Sequence, residues 1–281
     1  MALIDMYAEQ LGRLLPEGLR KIQMLHTINV IGSINADEWA FGTVDNVAIS
    51  TNEDSTTFPA LTFNKETMSV NQYIAANFSV KDSEFNRVNT VWGKYLLQDN
   101  LDQIIKQLSD NVTKAVCGLN QFVPTANVIG GATTKFGVNS LITANAVFSQ
   151  NDIVDQVRYA ALDGVSIAQL LKEQPTLTNL IYANQDTMLS GRIGGVLGFN
   201  TLDVGNSLAG VGSPATSKYA LCYTRNSMVC GFLKLDAEEQ AGRIVRVVTD
   251  ADSGITFRII QGTDGTLNKT NFKIDTWFGV K

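Results

Sequence analysis

Asn151-Asp-Ile-Val-Asp-Gln-Val-Arg-Tyr-Ala-Ala-Leu162, followed later by Ser190-Gly-Arg-Ile-Gly-Gly-Val-Leu-Gly-Phe199, is the stretch whose reading decides the fold. The first part reads as helix, capped by Asn151 or Asp152 and continuing to Lys172. Gly164 interrupts this helix, Ser166 can restart it, and Pro175 ends it. Leu177-Thr-Asn-Leu-Ile-Tyr-Ala183 reads as a strand, Asp186 to Ser190 as a short helix, and Ile193 to Leu202 as a glycine-rich strand. Gly191 to Gly198 invites comparison with a phosphate loop. It matches neither GxGxxG nor GxxxxGK[ST], and β-like sequence follows it rather than a helix N-terminus. Its glycines therefore point to tight turns and close backbone packing.

Upstream, residues 138 to 147 read as helix, with a break at Ser149-Gln150, and residues 121 to 137 are mixed. The clearest helix spans 82 to 117. Phe85, Val88, Trp92, Tyr95, Leu96, Leu101, Ile104, Ile105, Leu108, Val112, Ala115 and Val116 keep three-four spacing. Asp82 or Ser83 can cap its start and Gly118 its end. Residues 38 to 80 mix aromatic and β-branched residues with Thr, Asn and Ser around a turn signal at 51 to 57. They read as an extended two-stranded ribbon, which needs a surface to lie on. The chain opens with an amphipathic helix over 3 to 15 that Pro16 should stop. A second apolar stretch covers Leu19 to Ile34. Lys218 to Leu235 reads as strand or short helix. The last part is an antiparallel meander over 243–249, 254–260 and 271–278, with turns at 250–254 and 262–265.

The chemistry is sparse. His26 is the only histidine and has no ligand spacing around it. No GxSxG elbow is present. Asp236, Glu238 and Glu239, with Asp250 and Asp252, form the densest acidic region and read as a solvated face. Cys117, Cys222 and Cys230 show no CxxC or metal pattern and read as buried thiols. Asn77, Asn111 and Asn268 head glycosylation sequons, but no secretory leader is visible. No catalytic, cofactor or metal site is expected, and no apolar run approaches a membrane span. Charged residues make up 17% of the 281, against about 25% in ordinary domains, so partner-covered surface is expected. The net charge is −5, with no Lys/Arg run. A dedicated nucleic-acid binder would show a basic face instead.

Asp155-Gln-Val-Arg-Tyr-Ala-Ala-Leu162, Leu189-Ser-Gly-Arg-Ile-Gly-Gly-Val-Leu-Gly-Phe-Asn200 and Val204-Gly-Asn-Ser-Leu208 resemble segments of tailed-bacteriophage major capsid proteins of the Hong Kong 97 fold family. The order of elements resembles that family over nearly the whole chain. The resemblance implies an α+β capsid fold. Its parts would be an N-terminal arm (1–37), an E-loop β-ribbon (38–81), a peripheral domain with a spine helix (82–150 and 236–281) and a mixed α/β axial domain (151–235). It implies a non-enzymatic subunit of an icosahedral head that forms pentamers and hexamers around packaged double-stranded DNA, with no cofactor. A separate scaffolding protein, a portal and a decoration protein are the implied partners, with DNA in non-specific contact and no membrane. Assembly would take place in the host cytoplasm. Leu11, Leu14, Trp39, Phe41, Phe58, Lys65 and Tyr73 are the candidate contacts between subunits. Lys65 has no assignable partner for an isopeptide crosslink of the founding member's kind. An encapsulin-like compartment shell has the same fold, and an α/β enzyme with a cryptic glycine-rich site is the alternative from another class.

Overall fold

The computed structural model describes residues 3–35, 38–44, 63–81, 91–131, 134–151, 153, 156–173, 195–205, 207–208, 218–237, 243–264 and 269–281. Helix α1 (Leu3–Arg20) buries Ile4, Tyr7, Leu11, Leu15 and Leu19 on one face. It runs through Pro16, where the sequence predicts a stop. A proline inside a helix costs about 3 kcal/mol. Burying Leu15, Leu19 and Ile22 offsets this, because each fully buried aliphatic side chain contributes about 2 kcal/mol. A short α2 (Gln23–Thr27) and strand β1 (Asn29–Ile34) follow.

Strands β2 (Glu38–Val44) and β3 (Phe63–Ser69) pair antiparallel with each other alone among the described strands. The turn expected at 51–57 lies outside the described residues. The ribbon stops at Ser69, short of the expected limit. Strand β4 (Gln72–Lys81) joins the main sheet instead. The cause is its alternation, since Ile74 and Val80 are buried and Ala76 and Phe78 pack on the same core.

Helix α3 (Val91–Gly118) has 28 described residues, so it is roughly 42 Å long. The start expected at Asp82 or Ser83 lies outside the described residues. Leu101, Ile104, Ile105, Leu108, Val112 and Val116 are buried at the predicted spacing. Gly118 is right-handed helical (φ −64°) rather than a left-handed cap, and the chain passes into a 3-10 turn at Leu119–Phe122. Helix α4 (Val138–Gln150) ends at the expected break at Ser149-Gln150. Asn151 closes it with a side-chain bond to the Val147 carbonyl at 2.9 Å.

Within the helix expected over 151–172, residues Arg158–Leu162 are instead strand β5. Its apolar run is hydrogen-bonded on both edges, parallel to residues Phe199–Asp203 and antiparallel to Leu221–Thr224. A short, fully apolar run fits a central strand as well as a helix, and only its neighbours decide. Gly164 starts helix α5 (Gly164–Glu173) rather than interrupting one, with Asp163 Oδ1 accepting from the Ser166 N–H at 2.9 Å. The strand expected at 177–183 and the helix expected at 186–190 lie outside the described residues.

The glycine-rich strand folds back on itself as β6 (Gly195–Val196) and β7 (Phe199–Asp203). Strands β8 (Leu221–Thr224), β9 (Val229–Leu233), β10 (Arg243–Thr249), β11 (Thr256–Asp264) and β12 (Lys269–Val280) complete the described elements. Strand β11 runs through Gly262, where a turn was expected.

Two sheets result. The larger has the order β1-β9-β12-β11-β10, with β4 also on β12, and the smaller has the order β6-β7-β5-β8. Helices α1, α2 and α3 share one core with the larger sheet. Helices α4 and α5 close a second core on the smaller one, through Leu141, Ala144, Leu162, Leu170 and Phe199. The expected domain limits meet this division unevenly, since α4 packs with the smaller sheet and β9 belongs to the larger. Leu11 is 1% exposed within the single chain. Leu11→Ala should therefore destabilise the isolated chain by about 2–5 kcal/mol, read as a lowered denaturant midpoint.

Candidate functional site

The ribbon base is the best-defined candidate surface. Met68 and Val70 are buried with Ile34, and Ile31, Val229, Leu233 and Trp277 pack around them. Lys281 Nζ lies 3.0 Å from Glu66 Oε2. One end of the ribbon is therefore fixed to the chain's own sheet. Trp39 pairs in register with Met68, Phe41 with Glu66, and Gly42 with Lys65. All three candidate residues thus lie on the ribbon strands. Phe58 lies outside the described residues.

Leu11 is core, and Leu14 is partly buried against the same core. Both help hold α1 on its own sheet, and Leu14 keeps part of its surface exposed. Tyr73 is 40% exposed at the end of β4. Its ring lies 4.5 Å from that of Trp277, and its hydroxyl donates to Asp275 Oδ2 at 3.0 Å. Asp275 also accepts two bonds from Arg258, at 3.0 and 2.9 Å, and lies 3.7 Å from Lys273 Nζ. The Asp275 hydrogen bond holds the Arg258 guanidinium pKa above its ordinary value. Sequence reading missed this cluster, because its members come together only through the β4–β12–β11 register.

The glycine-rich segment forms a turn. Gly195 pairs with Asn200 and Val196 with Phe199. Leu197 and Gly198 fill the two-residue turn with φ of 51° and 83°. This is type I′ geometry, which matches strand twist. Its described residues present a hairpin tip rather than a phosphate cradle. His26 Nε2 lies 3.1 Å from the Arg20 carbonyl on the exposed end of α2. Asp250 Oδ2 accepts from the Ser253 N–H and hydroxyl, and Asp252 pairs with Arg20 at the surface. Glu238 and Glu239 lie outside the described residues, and Asp236 is exposed. Among the described residues, no group of three or more metal-ligating side chains occurs, and no helix is long and apolar enough to cross a membrane.

No protein-family model matches the sequence, and no curated protein does either. Solved structures do match. The Ralstonia phage GP4 capsid has a TM-score of 0.56 at 11% identity, covering 90% of this chain and 82% of that one. The cyanophage P-SCSP1u capsid gives 0.55 at 14%, covering 90% and 82%. The bacteriophage PhiM1 mature capsid gives 0.54 at 12%, covering 91% and 82%. The chain has a phage capsid fold. The expected α+β, Hong Kong 97-like class holds. The capsid fold here is carried by layout, since so few residues are shared.

All three cysteines of this capsid-fold chain are free thiols, and burial pushes Cys117 from the ordinary value of 9.0 up to about 12. Burial raises Cys222 and Cys230 too. Below pH 9 these thiols are neutral in both states. Above it the unfolded chain releases protons that the folded chain keeps, so folding stability falls as pH rises. The denaturant midpoint should therefore be flat up to about pH 9 and drop above it, and Cys117→Ala should lessen that drop. At the hairpin tip, Leu197→Asn should raise stability by about 1 kcal/mol, because asparagine tolerates the left-handed backbone better. A lower thermal midpoint would refute this.

Proposed function

We propose that the chain is a structural subunit of an icosahedral bacteriophage head. It assembles with copies of itself into pentamers and hexamers that enclose packaged double-stranded DNA. The observation that carries this reading is the β2–β3 ribbon on a chain with a capsid fold. It is seated at its base and, among the described strands, hydrogen-bonded only to itself. A two-stranded ribbon is marginal in water, so a surface on another copy would complete it. The low charge content fits a surface covered by neighbours, and heterologous contacts around rings close a shell.

In this reading residues 1–37 are the arm and 38–81 the ribbon region. Residues 82–150 with 236–281 form the peripheral domain, and 151–235 the axial domain. The role is structural, without catalysis or cofactor. The net charge of −5 suits a wall that holds DNA only by non-specific contact. A separate scaffolding protein, a portal and a decoration protein are the partners. Assembly takes place in the bacterial cytoplasm, and the product is the virion.

Electron microscopy of the chain, expressed with and without its neighbouring phage genes, tests the reading. Uniform hollow polyhedra are expected, and a strict monomer in both preparations would overturn it. Replacing 45–62 by a short Gly-Ser linker should leave the subunit folded and abolish closed particles. The excision stops before β3 because Met68 belongs to the core. Normal particles from this variant would show that the ribbon tip is dispensable.

A further inference from the structure

Gly231 of β9 and Gly279 of β12 lie directly opposite each other across the antiparallel ladder. Both are buried. A Cβ on Gly231 would overlap Met68 Cε and Ile34 Cδ1. A Cβ on Gly279 would overlap the Ser69 carbonyl oxygen, which is backbone. The end of β3 therefore crosses the sheet over bare backbone. Glycine in a strand interior costs roughly 0.5–1 kcal/mol relative to alanine, so two facing glycines need a reason. Here the reason is close approach. Glu66 precedes Met68 by two positions and Lys281 follows Gly279 by two, so alternation puts their ion pair beside the same crossing.

We infer that the Gly231–Gly279 pair is a seat that fixes the angle at which the ribbon leaves the body, with Met68 as pivot and Glu66–Lys281 as brace. The seat is a property of the single subunit. Its consequence, aiming the ribbon at a neighbouring copy, rests on the assembly reading above. The span from Ser69 to Phe63 is about 20 Å, so a tilt of roughly 10° at the seat moves the far end by about 3–4 Å. Such a shift exceeds what a packed interface absorbs without losing contacts.

The test measures the angle and the assembly separately. Spin labels on Asn64→Cys and Lys106→Cys report the distance from ribbon to body in the unassembled subunit. Gly231→Ala and Gly279→Ala should each shift that distance while circular dichroism stays unchanged. Particle yield should fall by roughly tenfold or more, because every subunit of a closed shell carries the fault. Adding Met68→Ala together with Ile34→Val should restore distance and yield in Gly231→Ala, where both obstacles are side-chain ends. It should not rescue Gly279→Ala, where the obstacle is backbone. Should Gly279→Ala not fold, Glu66→Ala still probes the brace and should broaden the distance distribution. Unchanged distances in both glycine variants would overturn the seat. Shifted distances with normal particles would overturn its role in aiming. Failure of the unaltered chain to assemble would strike the assembly reading alone, and the distances would still decide the seat.

Discussion

Strand β12 is the constraint on which the larger half of the molecule depends. One edge pairs with β11 from Lys269 to Asp275. The other pairs with β4 from Lys269 to Phe278, then with β9 from Phe278 to Val280. A single strand near the chain's end thus holds the segment that leads toward α3 and the strand that carries the ribbon seat. Its two faces do different work. Phe272, Ile274 and Phe278 enter the helical core, where Phe272 lies 4.8 Å from Tyr7 and 5.3 Å from Phe78, ring to ring. Lys273, Asp275 and Trp277 alternate onto the opposite face with Tyr73 and Arg258. Asp275 is a fully buried carboxylate held by Arg258 on β11 and Tyr73 on β4, so it fixes register across three strands. A slip by one residue would send this charge into the aromatic core, at a desolvation cost no pairing there would offset.

The elements legible in the sequence are those whose signal is local and repeated. The α3 stripe from Leu101 to Val116 and the three strands of the closing meander were legible because their apolar spacing repeats. Strand β5 was not, since Ala160, Ala161 and Leu162 are buried on both faces and lack a period. Pro16 misled for a different reason, because a local rule yielded to the tertiary burial of Leu15, Leu19 and Ile22. The candidate surface divided in the same way. The ribbon strands were visible from their composition, but Leu11 and Leu14 could not be assigned to self or neighbour by amphipathicity alone. Gly231 and Gly279 carried no sequence signal, because their meaning lies in an approach by Met68 and Ser69 from far along the chain.

This division bears on the assembly proposed above. Helix α1, the long helix and the main sheet share one core within the single chain. The smaller sheet closes its own core, with Arg158 bonded to Asn145 and its guanidinium 5.4 Å from the Phe148 ring centre. What the described residues leave incomplete is the ribbon, rooted at one end and paired only with itself. A chain built this way can fold first and associate second. Its association can then be sensitive to the direction of one projecting element while its folding is not. With so little sequence shared with the capsid structures it resembles, the fold here rests on geometry such as the close crossing at the ribbon's root. Facing glycines provide that here, and another pair of small residues would serve the same purpose elsewhere.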